Sequence, residues 1–215
     1  YAVLCAVKLK TQDCGRLVEN VDGAHPKTML NSEIHCEYGK LLYSEGNYTR
    51  AAEEFEKVSP KSLPRRARGE YWFKKGFCHF NREEHDVAER CYLKALDDPS
   101  EYDIAAGFGI ACIYYGRRDF KTAASWFERS SDDEQFGELS RFYLVDCHFM
   151  LKDYRYVVEV GEALFGNVPQ ERQGHLSRLL SEAYLVLGDA AKAREYLGRE
   201  DLNASTATDE DVFHA

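Results

Sequence analysis

Proline is scarce in this chain, with five among 215 residues, and no run of Val, Ile and Thr alternates with polar residues. Neither helix-breaking rings nor the period-two pattern of strands shapes the sequence. No stretch approaches the ~20 apolar residues that a membrane span needs. Positive charge is also in deficit: 28 Lys and Arg face 37 Asp and Glu. The resulting formal charge of −9 repels phosphate backbones and disfavours nucleic acid as a general partner. One stretch runs the other way. KSLPRRARGEYWFKK, residues 61–75, carries six Lys or Arg against the single acid Glu70, and reads as a solvated connection followed by a helix start.

Catalytic and metal signatures are missing too. There is no H-E-x-x-H, no G-x-S-x-G and no P-loop. GFGIAC, from Gly107 to Cys112, lacks a preceding strand and a third glycine, so its glycines fit close approach of helices better than phosphate binding. No carboxylate pair stands out whose surroundings would split its pKa values. Seven cysteines, odd in number and without a C-x-x-C pair, read as free thiols used as small core residues, which favours a reducing compartment. From these absences we expect no enzyme, no cofactor and no metal. The opening YAVLCAVKLK has no charged region before its apolar run and reads as no targeting peptide. Asn47 and Asn203 are formal glycosylation acceptors, and Asn47 is better explained as a turn residue.

What is present is helical. Hydrophobic residues make up 44% of the chain, enough for a core, and Ala, Leu, Glu, Lys and Arg recur at three- and four-residue spacing. Four segments share one pattern: SEGNYTRAAEEFEKV from Ser44, REEHDVAERCYLKAL from Arg82, GRRDFKTAASWFERS from Gly116 and MLKDYRYVVEVGEAL from Met150. Each runs from a turn through an aromatic or His to a small residue or Val three positions on. VLGDAAKAREYLG from Val186 and TQDCGRLVENV from Thr11 keep parts of it. The small-residue slot holds Leu17, Ala51, Ala88, Ala123, Val157 and Ala193, at steps of 34, 37, 35, 34 and 36 residues. A helical run precedes each turn, such as EIHCEYGKLLY from Glu33, so one period is two antiparallel helices. Stacked pairs bury faces that one pair cannot cover, which predicts an all-α, right-handed solenoid.

The same register explains why the triplet CHF occurs twice, at Cys78, His79 and Phe80 and again at Cys147, His148 and Phe149. The copies are 69 residues apart, about two periods. Helices spaced ~8–10 Å apart would separate them by roughly 20 Å or more. One metal, with ligands at ~2.0–2.3 Å, cannot span that distance.

These repeats resemble the tetratricopeptide repeat (TPR) family over nearly the whole chain. Trp72, Gly76, Ala88, Tyr92 and Ala95 match the family pattern in one repeat, and Gly39, Gly46, Asn47, Tyr48, Ala51 and Phe55 in the one before it. The fourth departs, with Val145, Val157 and Gly161 where Gly, Ala and an aromatic are expected, so its helix contacts should differ. The resemblance divides the chain into a truncated first pair at 1–31 and five pairs at about 32–68, 69–103, 104–137, 138–173 and 174–198. A polar connection and the start of a further repeat follow at 199–215, with Phe213 in the register of a new first helix. It also implies a longer array, whose first helix here would expose Leu4 or Val7 or bury them against a neighbour.

In this family the first helix of each pair lines a concave surface. Carried over position by position, that face holds Lys40 and Tyr43, then Phe73, Phe77 and Phe80, then Phe108 and Tyr115, then Phe142 and Phe149. Eight of the twenty positions so assigned are aromatic. The resemblance therefore implies a non-catalytic scaffold that binds a peptide or protein segment in an aromatic-lined groove. Two alternatives stay open: the rings pack against one another, or the chain is a structural arm of a longer protein with no ligand of its own. The Lys and Asn clamp by which some members hold a C-terminal carboxylate is not visible around Cys36 and Lys40. In texture the repeats resemble long TPR proteins of Bacteroidetes-type bacteria, which implies the cell envelope, whereas the thiols favour a reducing compartment.

Overall fold

The computed structural model describes residues 2–24, 29–97 and 99–200. Among them there are helices and turns but no strand, and the fold is an all-α solenoid of antiparallel helix pairs. The chain divides into two compact units, Tyr1–Ile110 and Ala111–Ala215. The first contains α1 (Ala2–Lys8), α2 (Cys14–Ala24), α3 (Met29–Ser44), α4 (Tyr48–Glu56), a 3-10 turn at Pro60–Ser62, α5 (Arg65–Asn81), α6 (His85–Ala95) and the start of α7 (Asp103–Gly116). The second holds the end of α7 and then α8 (Phe120–Glu128), α9 (Gly137–Met150), α10 (Tyr154–Phe165), α11 (Gln170–Leu187) and α12 (Ala190–Glu200). Residues 201–215, with the polar connection and Phe213, lie outside the described residues.

The turns between paired helices are built from two recurring devices. One residue enters the left-handed region: Gly46 and Gly188 do so freely, at φ of 74° and 88°. Glu83, Arg118 and Lys152 occupy the equivalent place at 60°, 62° and 64°, at a cost of about 1–2 kcal/mol each. In four of these five turns the following residue then caps the second helix, Asn47 accepting from the Arg50 amide, Asp119 from Thr122, Asp153 from Tyr156 and Asp189 from Lys192. Asn47 is thus a helix cap.

Small residues mark where helices nearly touch. A Cβ on Gly39 would stand 2.7 Å from the Phe55 ring, and one on Gly76 would stand 2.8 Å from Tyr92. In both pairs a ring of the second helix lies on a glycine of the first. The fourth pair interchanges the sizes: Val145 stands in the glycine's place and Gly161 in the ring's. Leu176 and Leu180 of α11 fill the space over Gly161, whose added Cβ would meet Leu180 at 3.0 Å. The departure read from the sequence is therefore a swap of large and small residues. Ala88, fully buried on α6, allows no such adjustment. Ala88→Leu should lower stability by about 1–3 kcal/mol through overfilling, read as a drop in the thermal or urea midpoint.

Two expectations need correction. Leu4 and Val7 are 8% and 3% exposed, because α1 packs them into the core it shares with Ile34, Leu41 and Leu42 of α3. The basic stretch 61–75 is not simply solvated. Lys75 is 8% exposed and pairs with Glu56 at 2.9 Å, while Lys74 pairs with Glu70 at 2.8 Å.

Candidate functional site

The first helices α1, α3 and α5 lie side by side in the first unit, and their shared face is the place to look for a partner site. Lys40 on α3 sits at its centre. Its ammonium donates to Glu37 at 3.1 Å and to Glu70 of α5 at 2.6 Å, and Lys74 reaches the other oxygen of Glu70 at 2.8 Å. Partial burial works against charge on both Lys40 and Glu70. Their mutual hydrogen bond and the attraction of neighbouring opposite charges together outweigh it, raising the Lys40 pKa and lowering that of Glu70, so both stay ionised. Lys74 also lies 5.2 Å from the centre of the Tyr43 ring and 5.9 Å from that of Tyr102. Around these groups is an opening of about 290 Å³, lined by Lys8, Lys10, Lys40 and Lys74 together with Glu37 and Glu70.

Of the residues expected to face a groove, Lys40, Tyr43, Phe80, Tyr115, Phe142 and Phe149 are half-buried and keep part of their surface in solvent. Phe73, Phe77 and Phe108 are a correction: they are 9%, 4% and 0% exposed. Phe77 is held edge-on by Tyr43 and Tyr48 at 5.3 and 5.1 Å, and Phe73 stacks on Tyr102 at 5.2 Å and tilts against Tyr92 at 5.9 Å. These rings fill space between helices, as the alternative reading had it. Truncating Phe77 or Phe108 would test folding, not binding.

The second unit has a polar cluster on α7, α9 and α11. The Tyr115 hydroxyl donates to one oxygen of Asp146, and His175 Nε2 lies 3.1 Å from the other. Arg178 approaches the far side of the His175 ring at 3.4 Å. Burial raises the pKa of the Asp146 carboxyl, but hydrogen bonds from His175 and Tyr115 outweigh it and hold the value below the usual one. Phe142 packs 5.6 Å from His175, with Arg172 at 5.8 Å from its ring centre. His175 and Arg178 were missed in the sequence. They occupy the same register in α11 as Glu70 and Phe73 do in α5, so carrying the groove positions one repeat further would have found them. Lys74 lies one helical turn after Glu70, an i,i+4 pair legible in GEYWFKK.

The two CHF histidines do equivalent jobs in their turns. His79 Nδ1 meets Glu84 at 2.5 Å, and His148 Nδ1 meets Asp153 at 3.1 Å, each carboxylate five residues on. Asp153 also caps α10. The longer Glu84 makes no cap bond, because its carboxylate turns to His79 and Arg82. No group of three or more metal-ligating side chains occurs among the described residues. No helix among them is long and apolar enough to cross a membrane.

No family model and no characterised sequence matches the chain. Solved structures do share its fold. MamA from AMB-1 superposes with a TM-score of 0.71 at 14% identity, over 87% of this chain and 100% of that one. YrrB, described as a TPR protein with an unusual peptide-binding site, gives a TM-score of 0.65 at 15% identity, over 85% and 89%. The chain therefore has the TPR fold.

Proposed function

We propose that this chain is a non-catalytic interaction scaffold that binds a peptide segment on the face made by the first helices α1, α3 and α5 of its first unit. The observation that carries this reading is the opening between α1, α3 and α5, where the half-buried lysines Lys40 and Lys74 stand at the surface, Lys74 beside the Tyr43 ring. The peptide-binding site named for YrrB, a protein of the same fold, supports it by analogy. Non-catalysis is supported by the nucleophile inventory. Burial pushes the thiols of Cys36, Cys78 and Cys147 up to about 12 and that of Cys91 up to about 11, so none of these four is an activated thiolate.

Selection of a displayed peptide library on the whole chain tests the proposal. Enriched peptides should lose at least about 2 kcal/mol of affinity for Tyr43→Ser, with helicity unchanged. No enrichment, or binding indifferent to that change, would sink it. A second reading, an arm that has no ligand of its own, is favoured by one feature. Leu185, Val186 and Leu187 at the end of α11 are 59%, 61% and 44% exposed, a surface suited to burial against other chain. That reading expects no peptide to be enriched.

A further inference from the structure

The opening on α1, α3 and α5 is basic in a chain whose formal charge is −9: four lysines face two glutamates there. An ammonium has three donors. Lys40 spends one on Glu37 and one on Glu70, and Lys74 spends one on Glu70, which leaves one donor on Lys40 and two on Lys74. Both side chains are only 18% exposed, so these spare donors are poorly served by water. Lys10, exposed at the rim, makes no ion pair with any described residue, and Lys8 reaches Glu33 only at 3.8 Å between half-exposed groups. Ser44 turns its hydroxyl inward to the Leu41 carbonyl at 2.7 Å.

We infer that this opening receives side-chain carboxylates of an acidic peptide segment, Lys40 and Lys74 serving as the inner donors and Lys8 and Lys10 as the rim. The inference deepens the scaffold reading and rests on it. A neutral segment would bring no counter-charge to the inner donors, and a basic one would add repulsion at the rim. A carboxylate fits better than a phosphate for two reasons. No arginine fork lines the opening, and Glu37 and Glu70 repel a dianion more than a monoanion. Glu70 acts as a positioning residue: by bridging Lys40 and Lys74 it holds both ammonium groups at fixed places, that of Lys74 beside Tyr43 and Tyr102.

Titration calorimetry of the whole chain with hexaglutamate, acetylated and amidated so that only side chains carry charge, tests this. Hexaglutamate should bind at low ionic strength and weaken as salt is added, and hexaglutamine should not bind. Lys74→Gln should weaken binding at least about tenfold and Lys10→Glu severalfold. Lys61→Gln, an exposed lysine elsewhere, should leave it unchanged. Equal binding of hexaglutamine, indifference to Lys74→Gln and Lys10→Glu, or tighter Lys74-dependent binding of a phosphoserine peptide would each overturn the assignment. Peptides selected from a library that are not acidic and are not displaced by hexaglutamate would overturn it too, while leaving the scaffold reading intact. Failure of every peptide would remove both.

Discussion

Tyr92→Ala is expected to lower stability by about 3–5 kcal/mol, the range for emptying a buried aromatic site. The ring is fully buried and lies between two glycines on different helices: a Cβ on Gly76 of α5 would stand 2.8 Å from it, and one on Gly109 of α7 would stand 2.6 Å. Both glycines present bare backbone to the ring, so filling the hole from those two sides would require whole helices to move. The reverse change probes the same geometry. Gly109→Ala gains about 1 kcal/mol of helix propensity. It meets a ring that cannot retreat, since Gly76 closes the other side, and overfilling costs about 1–3 kcal/mol. In a Tyr92→Leu background that clash is relieved, so Gly109→Ala should become neutral or stabilising. Urea unfolding of the four proteins of this cycle would measure the coupling. A coupling below about 0.5 kcal/mol would show that the ring is not clamped.

The clamp also shows what was legible beforehand. Glycine and aromatic residues at fixed offsets, repeated at a near-constant step, marked the turns and the places where helices touch, because those places demand a size that few residues supply. The face that meets a partner makes no such demand. A ring on a first helix serves equally well as an anchor in solvent or as filler between helices, and Phe77 and Phe142 look alike in the sequence. What separates them is the neighbour: Phe77 is boxed by Tyr43 and Tyr48, whereas Phe142 faces His175 and Arg172. The burial of Lys75 was hidden for the same reason, since its partner Glu56 lies on the preceding helix and nineteen positions away.

Asp146→Ala should cost about 2–4 kcal/mol. This carboxylate accepts from the Tyr115 hydroxyl and from His175, and hydrogen bonds to a charged acceptor contribute about 1.5–3 kcal/mol each. His175, with its side chain 36% exposed, recovers part of its share from water, whereas half-buried Tyr115 recovers less. The contribution must also depend on pH in a definite direction. The groups facing the carboxylate are Tyr115, His175 and Arg178, and together they hold its folded value below the 3.8 of an unperturbed aspartate. A depressed carboxylate stabilises fully above its unfolded value, and that stability is lost as pH falls through the lower folded value. The stability difference between the native chain and Asp146→Asn should therefore be smaller at pH 3 than at pH 5, shrinking below about 3.8. Comparing the two proteins, and not following one alone, cancels the acid response of Glu54, Glu56 and Glu70, which are depressed in the same sense. A difference that stays the same at pH 3 as at pH 5 would mean that the charge on Asp146 does not hold α7, α9 and α11 together at this point.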